Sequence, residues 1–221
     1  MLYIVATPIG NLGDITLRAV ETLKACDFVI AENPGYSKRL LEHIGAWPKE
    51  MVQFAEFNEQ QIVKDLTRRL AKTDGCLISD AGTPGISDPG FRLVRECAKE
   101  NVAVVPIPGA NAAVAALSAS GLPTDRFMFL GFLQKTAAKT LSALQSAADA
   151  EATAIFYESP ERIIKTLGYV ANAYPTSQVV IARELTKMHE EFIRGGAGEV
   201  LEKLKEKPSI KGEITVLVSF K

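Results

Sequence analysis

Short apolar runs recur along the chain, spaced so that one helix fits between most neighbouring pairs. In the first half they are Leu2-Tyr3-Ile4-Val5-Ala6, Phe28-Val29-Ile30-Ala31, Met51-Val52-Gln53-Phe54, Cys76-Leu77-Ile78 and Val102-Ala103-Val104-Val105-Pro106. Phe127–Leu130, Ala154–Tyr157, Val179–Ala182, Phe192–Arg194 and Ile214–Phe220 follow in the second half. Most are apolar at successive positions, the pattern of strands covered on both faces of a parallel sheet. The last run instead alternates Ile214, Val216, Val218 and Phe220. Between the runs the period becomes helical. Leu17, Val20 and Leu23 follow a Thr16 cap, and Leu40, Leu41 and Ile44 follow a Ser37 cap and end at Gly45. Ile62, Val63, Leu66 and Leu70 follow Asn58, with Gln61 placed to complete a capping box. Further helices are expected at 141–148, from Ser159-Pro160 to about residue 171, and at 200–205. The alternation predicts an α/β fold of two domains, 1–120 and 121–221, divided at Gly121-Leu122-Pro123.

One connection stands out. After Cys76-Leu77-Ile78 the chain runs Ser79-Asp80-Ala81-Gly82-Thr83-Pro84-Gly85-Ile86-Ser87-Asp88-Pro89-Gly90, almost all small or turn-forming residues. Asp88 reads as an N-cap and Pro89 as the first helical residue. A loop this long at the carboxyl end of a strand marks a ligand site in open α/β sheets. Gly82 and Gly85 allow close backbone approach, and Pro84 stiffens the path between them. Turn-rich segments also follow the other strands, at 7–13, 32–37, 56–58, 106–109, 157–160 and 183–187. Parallel strands would open these loops on one edge of each sheet, and two such edges would form a cleft between domains for a small ligand.

Composition narrows the classes. Of 221 residues, 47% are hydrophobic and 23% charged, enough for a substantial core. A net charge of −1 gives no broad basic footprint for nucleic acid. No apolar run approaches the ~18 residues of a membrane span, and the first strand lacks a basic leader. A cytoplasmic protein without membrane attachment is expected. Cys26, Cys76 and Cys97 read as buried thiols, and two histidines leave little material for a metal site. Neither a G-x-G-x-x-G fingerprint nor a P-loop is present.

Seven separated strings carry a resemblance: Leu2 through Thr16; Ser79 through Pro84 with Asp88-Pro89-Gly90; Pro106-Ile107-Pro108-Gly109; Ala116 through Pro123; Phe156-Tyr157-Glu158-Ser159; Ala182-Arg183-Glu184-Leu185-Thr186-Lys187; and Lys211-Gly212-Glu213. In this order they resemble the cytidine-2′-O-methyltransferases of small-subunit ribosomal RNA, within the tetrapyrrole methylase superfamily. The resemblance implies two α/β domains of the tetrapyrrole methylase type, with S-adenosylmethionine (SAM) in an interdomain cleft. Its cofactor contacts carry over to Asp80, Ala81, Gly82, Thr83, Pro84, Ile86, Ala110, Asn111, Tyr157, Glu184, Leu185, Gly212 and Glu213. It also implies small-subunit RNA as acceptor and a homodimer, to which the loop residues Ile9, Leu12, Phe57, Phe132 and Leu133 would contribute apolar surface.

The chain departs from the family pattern on the acceptor side. Glu32-Asn33-Pro34-Gly35 stands for the usual Glu-Asp-Thr-Arg, Ala55-Glu56-Phe57-Asn58-Glu59 for a His-rich stretch, and Gln134-Lys135-Thr136 for a basic turn. Family members commonly continue into a small helical domain, whereas this chain stops at Lys221. Two further readings therefore stand beside RNA methylation: the same fold acting on a tetrapyrrole or protein, and a SAM-binding protein without turnover.

Methyl transfer from a sulfonium needs in-line positioning and, for a ribose hydroxyl, a base. Glu32 is the expected base. Glu56, Asn58 and Glu59 are expected on the acceptor side, with Asn58 mainly a cap, and Lys187 as a phosphate contact. Loss of the cation at Gly35 and of imidazoles near Glu56 predicts weak or salt-sensitive RNA methylation with ordinary cofactor affinity.

Overall fold

In the computed structural model, which describes residues 1–47 and 49–221, each of the ten runs is a strand. The chain divides into two compact units, Met1–Asn111 and Ala112–Lys221.

The first unit has one parallel sheet of β1 (Leu2–Val5), β2 (Phe28–Ala31), β3 (Glu50–Gln53), β4 (Gly75–Ile78) and β5 (Val104–Ile107), in the order β3-β2-β4-β1-β5. Helices α1 (Leu17–Ala25) and α2 (Pro34–His43) bury Leu23, Leu40 and Leu41 with Val29 and Ile78. Helices α3 (Glu59–Leu70) and α4 (Phe91–Lys99) bury Leu66, Leu70 and Leu93 with Phe28, Ile30 and Leu77. Coverage on both faces explains runs that are apolar at both parities. From β2 the chain moves outward to β3, and from β4 it moves the opposite way to β5. The two connections diverge between β2 and β4, which opens a crevice at the carboxyl ends of these two strands. Pro106 is accommodated because β5 is an edge strand.

The second unit contains α5 (Ala112–Ser120), β6 (Phe127–Phe132), α6 (Ala137–Asp149), β7 (Thr153–Glu158), α7 (Ile163–Ala173), β8 (Gln178–Arg183), β9 (Glu191–Gly196), α8 (Ala197–Lys205) and β10 (Ile214–Ser219). Its sheet runs β6-β7-β10-β8-β9, with β6 parallel to β7 but β10 antiparallel to both its neighbours and β9 antiparallel to β8. The carboxyl ends of β7 and β8 therefore share one edge with the amino end of β10. Helices α6, α7 and α8 bury Leu144, Leu167 and Leu204 with Phe156, Val216 and Val218. The Ala-rich α5 packs against β7, β8 and β10, its small side chains permitting close approach. Central β10 is consequently buried at all six positions, not only at the alternating ones. For the same reason the second compact unit begins at Ala112, ahead of the expected boundary at Gly121.

Several local expectations change. Helix α2 begins at Pro34, with Asn33 as its cap accepting from the Tyr36 N–H at 3.4 Å. Asn caps at least as well as Ser, and Pro is pre-organised for the first helical position. Ser37 lies inside that helix, its Oγ buried without a hydrogen-bond partner among the described residues. Helix α4 starts at Phe91 after Gly90, which takes the cap position at φ 146° and leaves Asp88 two residues ahead of it. Asn58 does precede α3, but its side chain accepts from the Ala55 N–H (2.8 Å) and donates to the Gln53 carbonyl (3.0 Å), so no capping box closes. Thr16 caps α1 as expected, accepting from the Ala19 N–H at 3.1 Å, yet Leu17 is 84% exposed and Ala19 carries the buried face instead.

Candidate active site

The edge of the first sheet is knit together by its loops. Thr7, just past β1, exchanges backbone hydrogen bonds with Gly82 (2.8 and 3.1 Å), and its hydroxyl donates to the Ser79 carbonyl at 3.2 Å. Thr83 donates to the Ala110 carbonyl at 3.1 Å, tying the loop after β4 to the loop after β5. Gly82 takes φ +82°, which an L side chain would strain, and a Cβ on Gly109 would come 2.9 Å from the Ala6 Cβ. Asp80 through Pro84 and Ala110 thus form one fixed surface, while Ile86 is 43% exposed. Asn111 closes this unit and is half-buried.

Three carboxylates gather where the crevice opens. Glu32 leaves the end of β2 and Asp80 the end of β4, two neighbouring strands, and Asp88 folds back from the long loop. Burial raises the Glu32 carboxyl above its ordinary range, and the charge of Asp80 raises it further. Burial also raises Asp80, offset in part by the Asn33 N–H; its Oδ1 is buried with no partner among the described residues. Burial pushes Asp88 to about 6, with Ser79 opposing and Glu32 and Asp80 adding to the rise. Such carboxylates are more basic than usual and attract cations.

The edge of the second sheet is built differently. Glu184 and Thr186, at φ 53° and 65°, fold the loop after β8 back on itself. Glu184 Oε1 accepts from the Glu213 N–H and from Lys187 Nζ, both at 2.9 Å, and Lys187 reaches Glu213 Oε2 at 2.9 Å. The Glu213 N–H first and Lys187 second hold the Glu184 carboxyl below its ordinary range. Burial would lower the Lys187 pKa, but Glu184 and Glu213 more than offset it. A Cβ on Gly212 would collide with the Glu184 carboxyl, so only glycine fits there. Leu185 is buried beside this clasp. Tyr157 ends β7 between the rings of Phe129 and Phe132, at centroid distances of 5.0 and 5.5 Å.

The acceptor-side residues separate. Glu59 is buried and structural, accepting from the Gly90 N–H at 3.4 Å and facing Arg92 Nε at 3.3 Å. Asn58 shapes the turn before α3, and Glu56 and Phe57 point outward, Phe57 being 74% exposed. Lys187, committed to Glu184 of its own loop and to Glu213 ahead of β10, has its charge answered within its own unit. Ile9 and Leu133 are buried within their own units, which withdraws them as surface for a second subunit, whereas Phe132 is 62% exposed.

Comparison with known proteins places this geometry. The model of the Tetrapyrrole (Corrin/Porphyrin) Methylases matches residues 1–201. The chain belongs to this family. Among relatives of this methylase, the ribosomal RNA small subunit methyltransferase I of Hydrogenobaculum sp. is 43% identical, with 99% of this chain and 95% of that protein covered. The protein of the same name from Halalkalibacterium halodurans is 47% identical, covering 98% of this chain and 75% of that one. Solved structures of diphthine synthase (TM-score 0.78, 16% identity, 99% and 89% coverage) and of a cobalt precorrin-4 methyltransferase (0.69, 18%, 99% and 94%) share the fold.

Two features of the methylase were not read from its sequence. Asp80 and Asp88 join Glu32 as desolvated acids, because β2 and β4 are neighbours despite their separation along the chain. Glu158 is fully buried, accepting from the Ser159 N–H (2.8 Å) and Thr166 hydroxyl (2.6 Å) and facing Arg162 Nε at 3.4 Å. Arg162 in turn donates to the Leu133 carbonyl at 2.9 Å, fixing the loop after β6. The sequence signal was an acid closing an apolar run, with a cation four residues on.

Proposed function

We propose that this methyltransferase uses SAM to methylate the ribose 2′-hydroxyl of a cytidine in small-subunit ribosomal RNA, acting in the cytoplasm as a homodimer. The observation that carries the reading is the trio Glu32, Asp80 and Asp88 at the crevice of the first sheet, in a chain more than 40% identical over nearly its whole length to proteins named for this RNA. Desolvated carboxylates whose pKa values are raised fit a ligand that carries sulfonium and ammonium charges. SAM, when bound, supplies an electrophilic methyl group and a neutral leaving group. In this reading its contacts are a first set, Asp80, Ala81, Gly82, Thr83, Pro84, Ile86, Ala110 and Asn111, and a second set, Tyr157, Glu184, Leu185, Gly212 and Glu213. The clasp among Glu184, Lys187 and Glu213 keeps the second set pre-organised. Glu32 takes the proton of the acceptor hydroxyl, a role for which burial has already raised its basicity. Glu56 is left as the exposed acid on the acceptor side.

Incubation with methyl-labelled SAM and, separately, small subunits, large subunits, free RNA and a tetrapyrrole tests the proposal. Label is expected in a ribose-methylated cytidine of the small subunit. Label in the tetrapyrrole or in protein would move the acceptor, and no label with tight SAM binding would make the chain a binding protein. Thr83→Arg places a long cation where Thr83 meets Ala110 and is expected to abolish SAM binding in calorimetry without unfolding the chain. Unchanged affinity would remove the loop after β4 from the cofactor site.

A further inference from the structure

A small cleft of the first unit adjoins the crevice and shares only Asp80 with the reading above. It lies between the loop after β1 and the first turns of α2, has a volume of about 110 Å³, and is bordered by Thr7, Gly10, Tyr36, Arg39 and Asp80. Pockets that enclose a drug-sized ligand run to ~300 Å³ or more. This one is therefore too small to enclose SAM.

Among the described residues its one cation is Arg39. Neighbouring Lys38 is engaged with Glu42 at 3.6 Å and with the Trp47 ring at 5.2 Å, whereas no ion pair among the described residues involves Arg39. Residues 35 and 39 are one turn apart on the same face of α2. A long helical side chain leans back toward the N-terminus, so Arg39 projects toward the strand-end edge. The charge that Gly35 lacks is thereby supplied from one turn further on. A bare anion in the cleft would meet the Asp80 carboxylate. A sugar–phosphate instead offers its phosphate to the guanidinium and its hydroxyls to Thr7 and Asp80.

We propose that Arg39 is a specificity-determining residue for an RNA acceptor, holding a backbone phosphate of the target strand in the cleft beside Thr7 and Asp80. The inference rests on the RNA-methyltransferase reading, and it predicts that the altered residues 33–35 do not leave the protein without a phosphate contact.

Binding of the full chain to isolated small ribosomal subunits, measured across a salt series, tests it. Arg39→Ala is expected to make the slope of log K against log salt shallower by about 0.7–0.9, the share of one phosphate, and to weaken binding about tenfold at moderate salt. In turnover assays the loss should appear in KM for the subunits. SAM affinity, measured on the same sample, should hold and thereby report an intact fold. Arg39→Lys should recover the slope but only part of the affinity, since an ammonium lacks the planar fork. Lys99→Ala removes an equal charge from the last turn of α4, a different helix that does not border the cleft, and should leave the slope alone. A wild-type slope in Arg39→Ala, or an equal change in Lys99→Ala, overturns the inference while leaving the RNA reading standing. Wild-type protein that binds SAM but no small subunit overturns both.

Discussion

The two sheet edges use the same residue type in opposite ways. On the first, Glu32, Asp80 and Asp88 gather half-buried, no ion pair among the described residues involves any of them, and all three are pushed toward protonation. On the second, the buried Glu158 and the half-buried Glu184 and Glu191 are each answered within their own unit. Glu184 has Lys187 and the Glu213 N–H, Glu191 has Lys207 (2.6 Å) and Arg183 (3.0 Å), and Glu158 has Arg162 and Thr166. The Glu213 N–H lowers Glu184 most, and Lys207 does the same for Glu191. Paired acids rigidify a loop; unpaired, desolvated ones store a capacity to take a proton or meet a cation. In the proposed function the first edge accordingly supplies the chemistry, and the second holds the geometry.

The sharpest way to break this contrast is Glu158→Ala. It strands the Arg162 guanidinium, the Thr166 hydroxyl and the Ser159 N–H, and should cost about 3–5 kcal/mol in denaturant unfolding. A loss below about 1 kcal/mol would mean that the second edge is not held by its paired acids. Next in size is Glu32→Gln, expected to lower kcat by about 10²-fold or more, roughly 2.7 kcal/mol in activation free energy, with a smaller effect on SAM affinity. Equal losses in both would reassign Glu32 from base to cofactor contact.

Gly212→Ala tests the clasp from its backbone side. Gly212 sits at φ +90° and its missing Cβ leaves room for the Glu184 carboxyl, so the variant should lose about 1–3 kcal/mol. The Glu184 carboxyl should also move back toward its ordinary pKa, readable by NMR titration; an unmoved titration would show that the clasp survives. The smallest effect is expected at Asp88. Its folded pKa of about 6 lies above the ordinary 3.8, so its contribution to stability is complete below the ordinary value and is lost as pH rises through about 6. Asp88→Asn should therefore stabilise the chain by ~1 kcal/mol near pH 8, after discounting for solvent screening, and by nothing near pH 4. For Glu184 and Glu191 the sign reverses, since their depressed pKa values give stability that is present above the ordinary carboxylate pKa and lost in acid. A gain from Asp88→Asn that persisted in acid would show that its carboxylate is not strained by burial.

Much of this architecture is legible in the amino-acid order, because strand and helix formation depend on neighbours a few residues away. The ten runs, the Thr16 cap and the turn-rich loop at residues 79–90 are local patterns, and each occupies its expected place. Seven strings in fixed order likewise pointed to the methylase family before any contact was known. What local pattern does not contain is which strand lies beside which. The order β3-β2-β4-β1-β5 makes neighbours of Glu32 and Asp80, and the reversal of β10 brings Gly212 and Glu213 to Glu184 and Lys187. Caps went astray where another residue took the position. Asn33 and Pro34 pre-empted Ser37, and Gly90 took the cap position expected of Asp88. Protonation state is the furthest from the sequence, since a carboxylate's pKa is set by the water it loses and the charges it meets. Those belong to the packed sheet edge, and only the tertiary structure could decide that Glu32 and Asp80 have no ion-pair partner among the described residues there while Glu184 is clasped.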